Sequence, residues 1–165
     1  MFLLMLIKFS KLAVSIPSAP KYKEYIMKNY FKIQLPAIGE NEGFARNIIS
    51  AFVLPLSPTI EEINDLKTAV SEAVTNCVVH AYCNNDGIIE MSAEISDNTL
   101  TVIISDKGKG IADIEMARTP MYTSGGDERS GMGFTIMETF MDDLKIYSAP
   151  NKGTSITMTK TFSVC

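Results

Sequence analysis

Ser71-Glu72-Ala73-Val74-Thr75-Asn76 lies within a segment, Thr59 to Tyr82, whose apolar residues recur at Ile63, Leu66, Val70, Ala73, Val74, Cys77, Val78 and Ala81. That spacing is helical, with one face turned to a core. Glu72 and Asn76 are four residues apart, so they stack on adjacent turns of one face. An amide oxygen can ligate a hard cation, and a carboxylate one turn away can orient or deprotonate a nucleophile. Alone, a Glu/Asn pair on a helix reads as solvated surface. The glycine-rich chain that follows changes the balance.

Downstream, Asn84-Asn85-Asp86-Gly87 is a turn. Ile89, Met91, Ala93 and Ile95 alternate with polar residues, Asp97-Asn98 turns the chain, and Leu100, Val102 and Ile104 alternate again. This predicts an antiparallel hairpin with one face on the core. Its second strand runs into Asp106-Lys107-Gly108-Lys109-Gly110-Ile111. A carboxylate at a strand end can accept a hydrogen bond from an exocyclic amine, as on adenine. Spaced glycines let backbone approach a flat ring and permit positive φ. The competing reading of these six residues is an ordinary Asp/Gly turn.

Asp113 to Ala117 reads as a short helix, and Thr119 to Arg129 as a polar, glycine-bearing lid between two motifs. Ser130-Gly131-Met132-Gly133-Phe134 opens an apolar helix containing Ile136, Met137, Phe140 and Met141. Glycines leading into a helix N-terminus aim backbone N–H groups and the positive dipole end at an anion, and a polyphosphate suits that place. Leu144 to Tyr147 is a strand, Asn151-Lys152-Gly153 a turn, and Thr154 to Phe162 a final strand with Ile156 and Met158 inward. Thr154 either hydrogen-bonds near Asp106 or serves only as a β-former.

Upstream, Pro55 to Pro58 is a connector, and the central helix starts either at Ser57-Pro58 or at a Thr59/Glu62 capping box. Glu40 to Val53 predicts a helix with Phe44, Ala45, Ile48, Ile49 and Phe52 inward. Arg46 lies off that stripe and reads as a solvated charge. Phe31, Ile33 and Leu35 alternate in a first strand ended by Pro36. Residues 1–26 do not match the rest. Met1 to Ile7 is too short to span a bilayer, and Lys8 and Lys11 follow it rather than precede it as in a secretory signal. A surface anchor, an unstructured tail and a misassigned start codon compete. The last is favoured, with translation from Met27 and one domain over 27–165.

The chain of 165 residues suits a single domain, and 46% apolar with 21% charged residues is ordinary for a globular one. A net charge of −4 argues against non-specific nucleic-acid binding. Cys77, Cys83 and Cys165 lack metal-ligand spacing, and an odd count without a secretory signal fits a reducing cytoplasm.

Glu72…Asn76, Asp106-x-Gly108-x-Gly110, Gly131-x-Gly133 and Gly153-Thr154 are weak singly and strong in this order. Together they resemble the GHKL ATP-binding family of gyrase, histidine kinases and MutL-type proteins. Ser71 to Asn76, Arg129 to Glu138, and Phe140-Met141-Asp142-Asp143 are similar to its anti-sigma F branch in spore-forming bacteria, from about Met27 to Phe162. The resemblance implies an α+β Bergerat fold: a mixed, mostly antiparallel sheet covered by helices on one face. It implies that Asn76 ligates Mg²⁺ bridging the ATP phosphates and that Glu72 is the general base toward a serine hydroxyl. Asp106 would read the adenine amine with help from Thr154, with Gly108 and Gly110 lining the ring. Gly131 and Gly133 would hold the phosphates, and Arg129 would meet the γ-phosphate. His80 becomes a packing residue.

The implied function is a cytoplasmic homodimer that sequesters sigma F, with Arg46 at that contact. The same protein would be an ATP-dependent serine kinase acting on an anti-anti-sigma factor. No acceptor-bearing helical hairpin precedes the first strand, which places the phospho-acceptor on another protein. The alternative is a non-catalytic binding module whose nucleotide only sets partner choice. Neither reading involves direct nucleic-acid or membrane binding.

Overall fold

A computed structural model describes residues 28–119 and 132–163. The expected Met27 start, the lid beyond Thr119, Arg129, Gly131 and Cys165 lie outside the described residues. The strands are β1 (Lys28–Pro36), β2 (Ile88–Ser96), β3 (Thr99–Ser105), β4 (Asp143–Ala149) and β5 (Gly153–Thr161). The α-helices are α1 (Glu40–Phe52), α2 (Ile60–Thr75), α3 (Ile114–Arg118) and α4 (Gly133–Phe140).

The strands form one sheet in the order β1-β2-β3-β5-β4. Period-two alternation puts one set of side chains in register across it. Ile33, Met91, Ile104, Ile156 and Ile146 make one row, and Phe31, Ala93, Val102, Met158 and Leu144 the next. These rows face the helices, and Met91, Val102, Ile104, Ile156 and Met158 are buried. α1 packs on α2 and α2 on α4 over that face, and Phe31 meets Phe52 edge-to-face at 4.8 Å. Such a pair adds about 1 kcal/mol beyond its buried area.

The α+β architecture is the expected one, with one correction. All four pairings are antiparallel, so the described sheet is not mixed. The chain leaves β3, crosses through α3 and α4, and enters β4 parallel in direction to β3. β5 then returns between them, and the parallel pair never touches.

The central helix starts at the later of its two candidate positions. The Thr59 side chain accepts from Glu62 N–H at 3.1 Å, and Glu62 accepts from Thr59 N–H at 2.8 Å. This capping box contributes about 1 kcal/mol. The helix does not run unchanged to Tyr82: Asn76–Ala81 is π-helical, closed by Tyr82 N–H on the Cys77 carbonyl at 3.1 Å. A π turn inserts a residue and re-aims those after it, a device common at functional sites. Two further side chains depart from expectation. Phe44 is exposed, because Ala45 and Ile49 set the buried face of α1, and His80 is exposed rather than packed. Among the described residues no helix is long and apolar enough to cross a membrane.

Candidate functional site

Two clusters form where α2 passes the end of β3. In the first, Glu72 from the last turn of α2 and Asn76, which opens the π turn, lie against Gly133, the first residue of α4. A Cβ at Gly133 would lie 3.0 Å from Glu72 Oε2 and 3.6 Å from both amide atoms of Asn76. A larger residue would therefore crowd the pair. Because Gly133 opens α4, the positive end of that helix lies beside the carboxylate and amide.

The second cluster surrounds Asp106, the one buried charged side chain among the described residues, at 7% exposure. Its Oδ1 accepts from Gly108 N–H at 2.8 Å and from Thr154 N–H at 3.2 Å. Its Oδ2 faces the Cys77 thiol, which donates at 3.7 Å. Burial pushes the Asp106 carboxyl above its ordinary 3.8, and the two backbone donors only partly offset this. Burial, and then the neighbouring Asp106 charge, push the Cys77 thiol far up, so it stays protonated and acts as a donor. Thr154 thus serves Asp106 through its backbone, not through its hydroxyl, which pairs with Ser148 Oγ at 2.9 Å.

The two expected ring glycines differ in what they do. At Gly108 a Cβ would collide with the Ala81 carbonyl oxygen, which accepts from Lys109 N–H at 3.1 Å, so close approach requires glycine there. Gly110 has φ of 68° and lies against the Ala149 carbonyl, so it needs the left-handed region. The turn from Asp106 to Gly110 is thereby strapped to the π turn. Tyr82 strengthens the strap: its hydroxyl accepts from Lys107 N–H at 2.9 Å and donates to the Ile88 carbonyl at 2.8 Å.

A shallow depression of about 290 Å³ takes in Asp106, Ser148, Gly153 and Thr154 but does not reach Glu72 or Asn76. Arg46 is apart from both clusters, on α1, where it pairs with Glu42 at 3.2 Å. Glu42 also accepts from the Ser71 hydroxyl, so the surface around Arg46 touches α2 beside Glu72.

These residues suit a magnesium-bound adenine nucleotide. Asp106 Oδ2 is an acceptor held in a dry setting, as an exocyclic amine requires. No group of three His, Cys, Asp or Glu among the described residues could cage a metal. Mg²⁺ held by one side chain and substrate phosphates needs no such cage.

Comparison with known proteins agrees. Residues 40–160 match the family described as the histidine kinase-like ATPase domain. An anti-sigma F factor of Caldanaerobacter subterraneus is 53% identical over 133 residues, covering 80% of this chain and 93% of that one. One from Clostridium perfringens strain SM101 is 52% identical over 136 residues, covering 81% and 97%. The chain belongs to the histidine kinase-like ATPase family, in its anti-sigma F factor branch. The crystal structure of the RsbU and RsbW domains of Rv1364c from Mycobacterium tuberculosis aligns with a TM-score of 0.59 at 19% identity. That alignment covers 82% of this chain, which spans 32% of the longer one, and it supports the fold.

Within this anti-sigma F branch, the chain carries site residues that its motifs did not disclose. Cys77 reads in the sequence as part of an apolar stripe and Tyr82 as the end of a helix, and Ser148 lies just past the strand predicted over Leu144 to Tyr147, although β4 extends to Ala149. Only the meeting of β3, β4, β5 and the π turn shows what they touch.

Proposed function

We propose that this protein binds Mg·ATP, sequesters sigma F, and transfers the γ-phosphoryl group to a serine on an anti-anti-sigma partner. The observation that carries this reading is the convergence of Glu72, Asn76 and Gly133 at the start of α4. Asn76 would hold Mg²⁺ through its amide oxygen, and Glu72 would accept the proton of the attacking serine hydroxyl. Magnesium supplies charge neutralisation at the phosphates. At the other end, Asp106 accepts from the adenine amine and fixes the nucleotide's register. Gly131 and Arg129 are proposed for the phosphate contacts. A carboxylate beside Asn76 is unnecessary for binding alone, which favours the kinase over a purely nucleotide-controlled binding module.

The partner surface is assigned to α1, with Arg46 meeting an acidic group of sigma F. The proposed homodimer is supported by exposed apolar side chains on and just after β1 and on α1: Tyr30, Ile38 and Phe44. The site would act in the cytoplasm.

Mixing the protein with labelled ATP, sigma F and the serine-bearing antagonist tests the reading as a whole. Label is expected on the antagonist, and sigma F is expected in complex with the unmodified protein. Arg46→Ala is expected to weaken sigma F binding about tenfold or more while ATP affinity stays within about twofold, as for a charge lost from an interface. Unchanged sigma F affinity would remove Arg46 from the contact. Wild-type protein that labels no serine would favour the binding module.

A further inference from the structure

Ser148 stands opposite Thr154 in the β4–β5 register, and its hydroxyl joins three partners. Oγ accepts from Ile111 N–H at 2.8 Å, donates to the Gly153 carbonyl at 2.8 Å, and lies 2.9 Å from Thr154 Oγ1. A serine hydroxyl has one proton and two lone pairs. The carbonyl can only accept, so it takes the proton. The amide can only donate, so it fills one lone pair. The contact with Thr154 must then fill the other, which means that Thr154 donates its own proton to Ser148. Thr154 Oγ1 is left with lone pairs alone. Asp106, which lines the same depression, has Oδ1 occupied by two backbone N–H groups, while its Oδ2 takes the Cys77 thiol and keeps a second lone pair, also an acceptor.

We infer that Ser148 is a specificity-determining positioning residue: by taking the Thr154 proton it makes Thr154 and Asp106 a matched pair of acceptors, which admits a 6-amino purine and rejects a 6-oxo purine. The inference rests on the adenine reading above and deepens it. A 6-oxo purine would set its own O6 acceptor against two acceptors, and unpaired polar groups in a dry site discriminate more strongly than a missing contact does. Without Ser148, the Thr154 hydroxyl turns freely and its proton can meet O6.

Equilibrium affinities for ATP and ITP, measured with Mg²⁺, test this on the full chain. Wild type is expected to prefer ATP. Ser148→Ala is expected to narrow the ATP-to-ITP ratio about tenfold, the weight of one net hydrogen bond. Ser148→Thr keeps the hydroxyl and is expected to restore the ratio. Thr154→Val is expected to narrow it as well, and Ser148→Ala is expected to add nothing in that background. Thermal melts of each variant report folding separately. A folded Ser148→Ala protein with the wild-type ratio overturns the inference, as does a narrowing that persists undiminished on top of Thr154→Val. Should Ser148→Ala fail to fold, Thr154→Val decides, and a wild-type ratio there overturns it. Wild-type protein that binds neither nucleotide overturns the adenine reading itself, and with it the assignment of Ser148.

Discussion

Glu72→Gln is expected to cut phosphoryl transfer to the serine substrate by about 10²- to 10⁴-fold, the span supplied by a positioned general base. ATP affinity is expected to change little. The substitution is nearly isosteric, and the space against Gly133 is filled as before. Asn76, one turn on, is untouched. Phosphoryl transfer depends on positioning and charge neutralisation as well as on the base, so a residual rate should persist. Single-turnover transfer from labelled ATP, with nucleotide affinity measured in parallel, checks this. Undiminished transfer would remove the base assignment. Joint loss of transfer and binding would make Glu72 a binding residue instead.

Asp106→Asn is expected to lower nucleotide affinity about 100-fold without lowering the stability of the nucleotide-free protein. The orientation of the new amide is fixed. Gly108 N–H and Thr154 N–H both point at Oδ1, so the amide oxygen must sit there and the NH₂ must take the place of Oδ2, where the Cys77 thiol turns its weak donor away and offers its sulfur as a weak acceptor. A donor then faces the donor of an exocyclic amine, and the hydrogen bond to a charged group, about 2–3 kcal/mol, is lost as well. Stability moves the other way. The folded carboxyl titrates above its ordinary 3.8 because of burial, so the folded state holds the proton more tightly than the unfolded chain does. Stability from this group is therefore full below that value and is lost as pH rises through the elevated one. At neutral pH the ionised side chain costs the fold something that a neutral amide does not. The melting midpoint of Asp106→Asn at pH 7 is expected to equal or exceed that of wild type, and a marked fall would mean that Asp106 is chiefly structural.

The local signals carried far in this chain. Period-two alternation identified the β2–β3 hairpin and the inward rows, because a half-buried strand writes its burial directly into the order of residues. The Thr59/Glu62 box and the strand-end position of Asp106 were legible for the same reason: each needs only neighbours in sequence. Beyond the β2–β3 hairpin, whose short Asp97-Asn98 turn requires antiparallel strands, the pairing of distant strands was not legible, since it depends on which strands meet in space, and the mixed sheet came from resemblance. Nor was the π turn. The bond from Tyr82 back to Cys77 leaves the apolar stripe almost unaltered, and the contact of Cys77 with Asp106 joins residues distant in sequence. Phe44 misled because it adjoins the stripe that Ala45 and Ile49 define. Ser148 and Thr154 meet only through the β4–β5 register, and a serine in a strand announces nothing by itself.

The central claim is that one magnesium-dependent adenine site is built from α2, the turn after β3 and the start of α4. Calorimetric titration of the purified protein with ADP and with ATP, in the presence and absence of Mg²⁺, tests it most directly. Saturable binding at a single site, strengthened by magnesium and weakened by Asp106→Asn, is expected. A flat titration with both nucleotides in the presence of magnesium, from protein shown to be folded, would contradict the account.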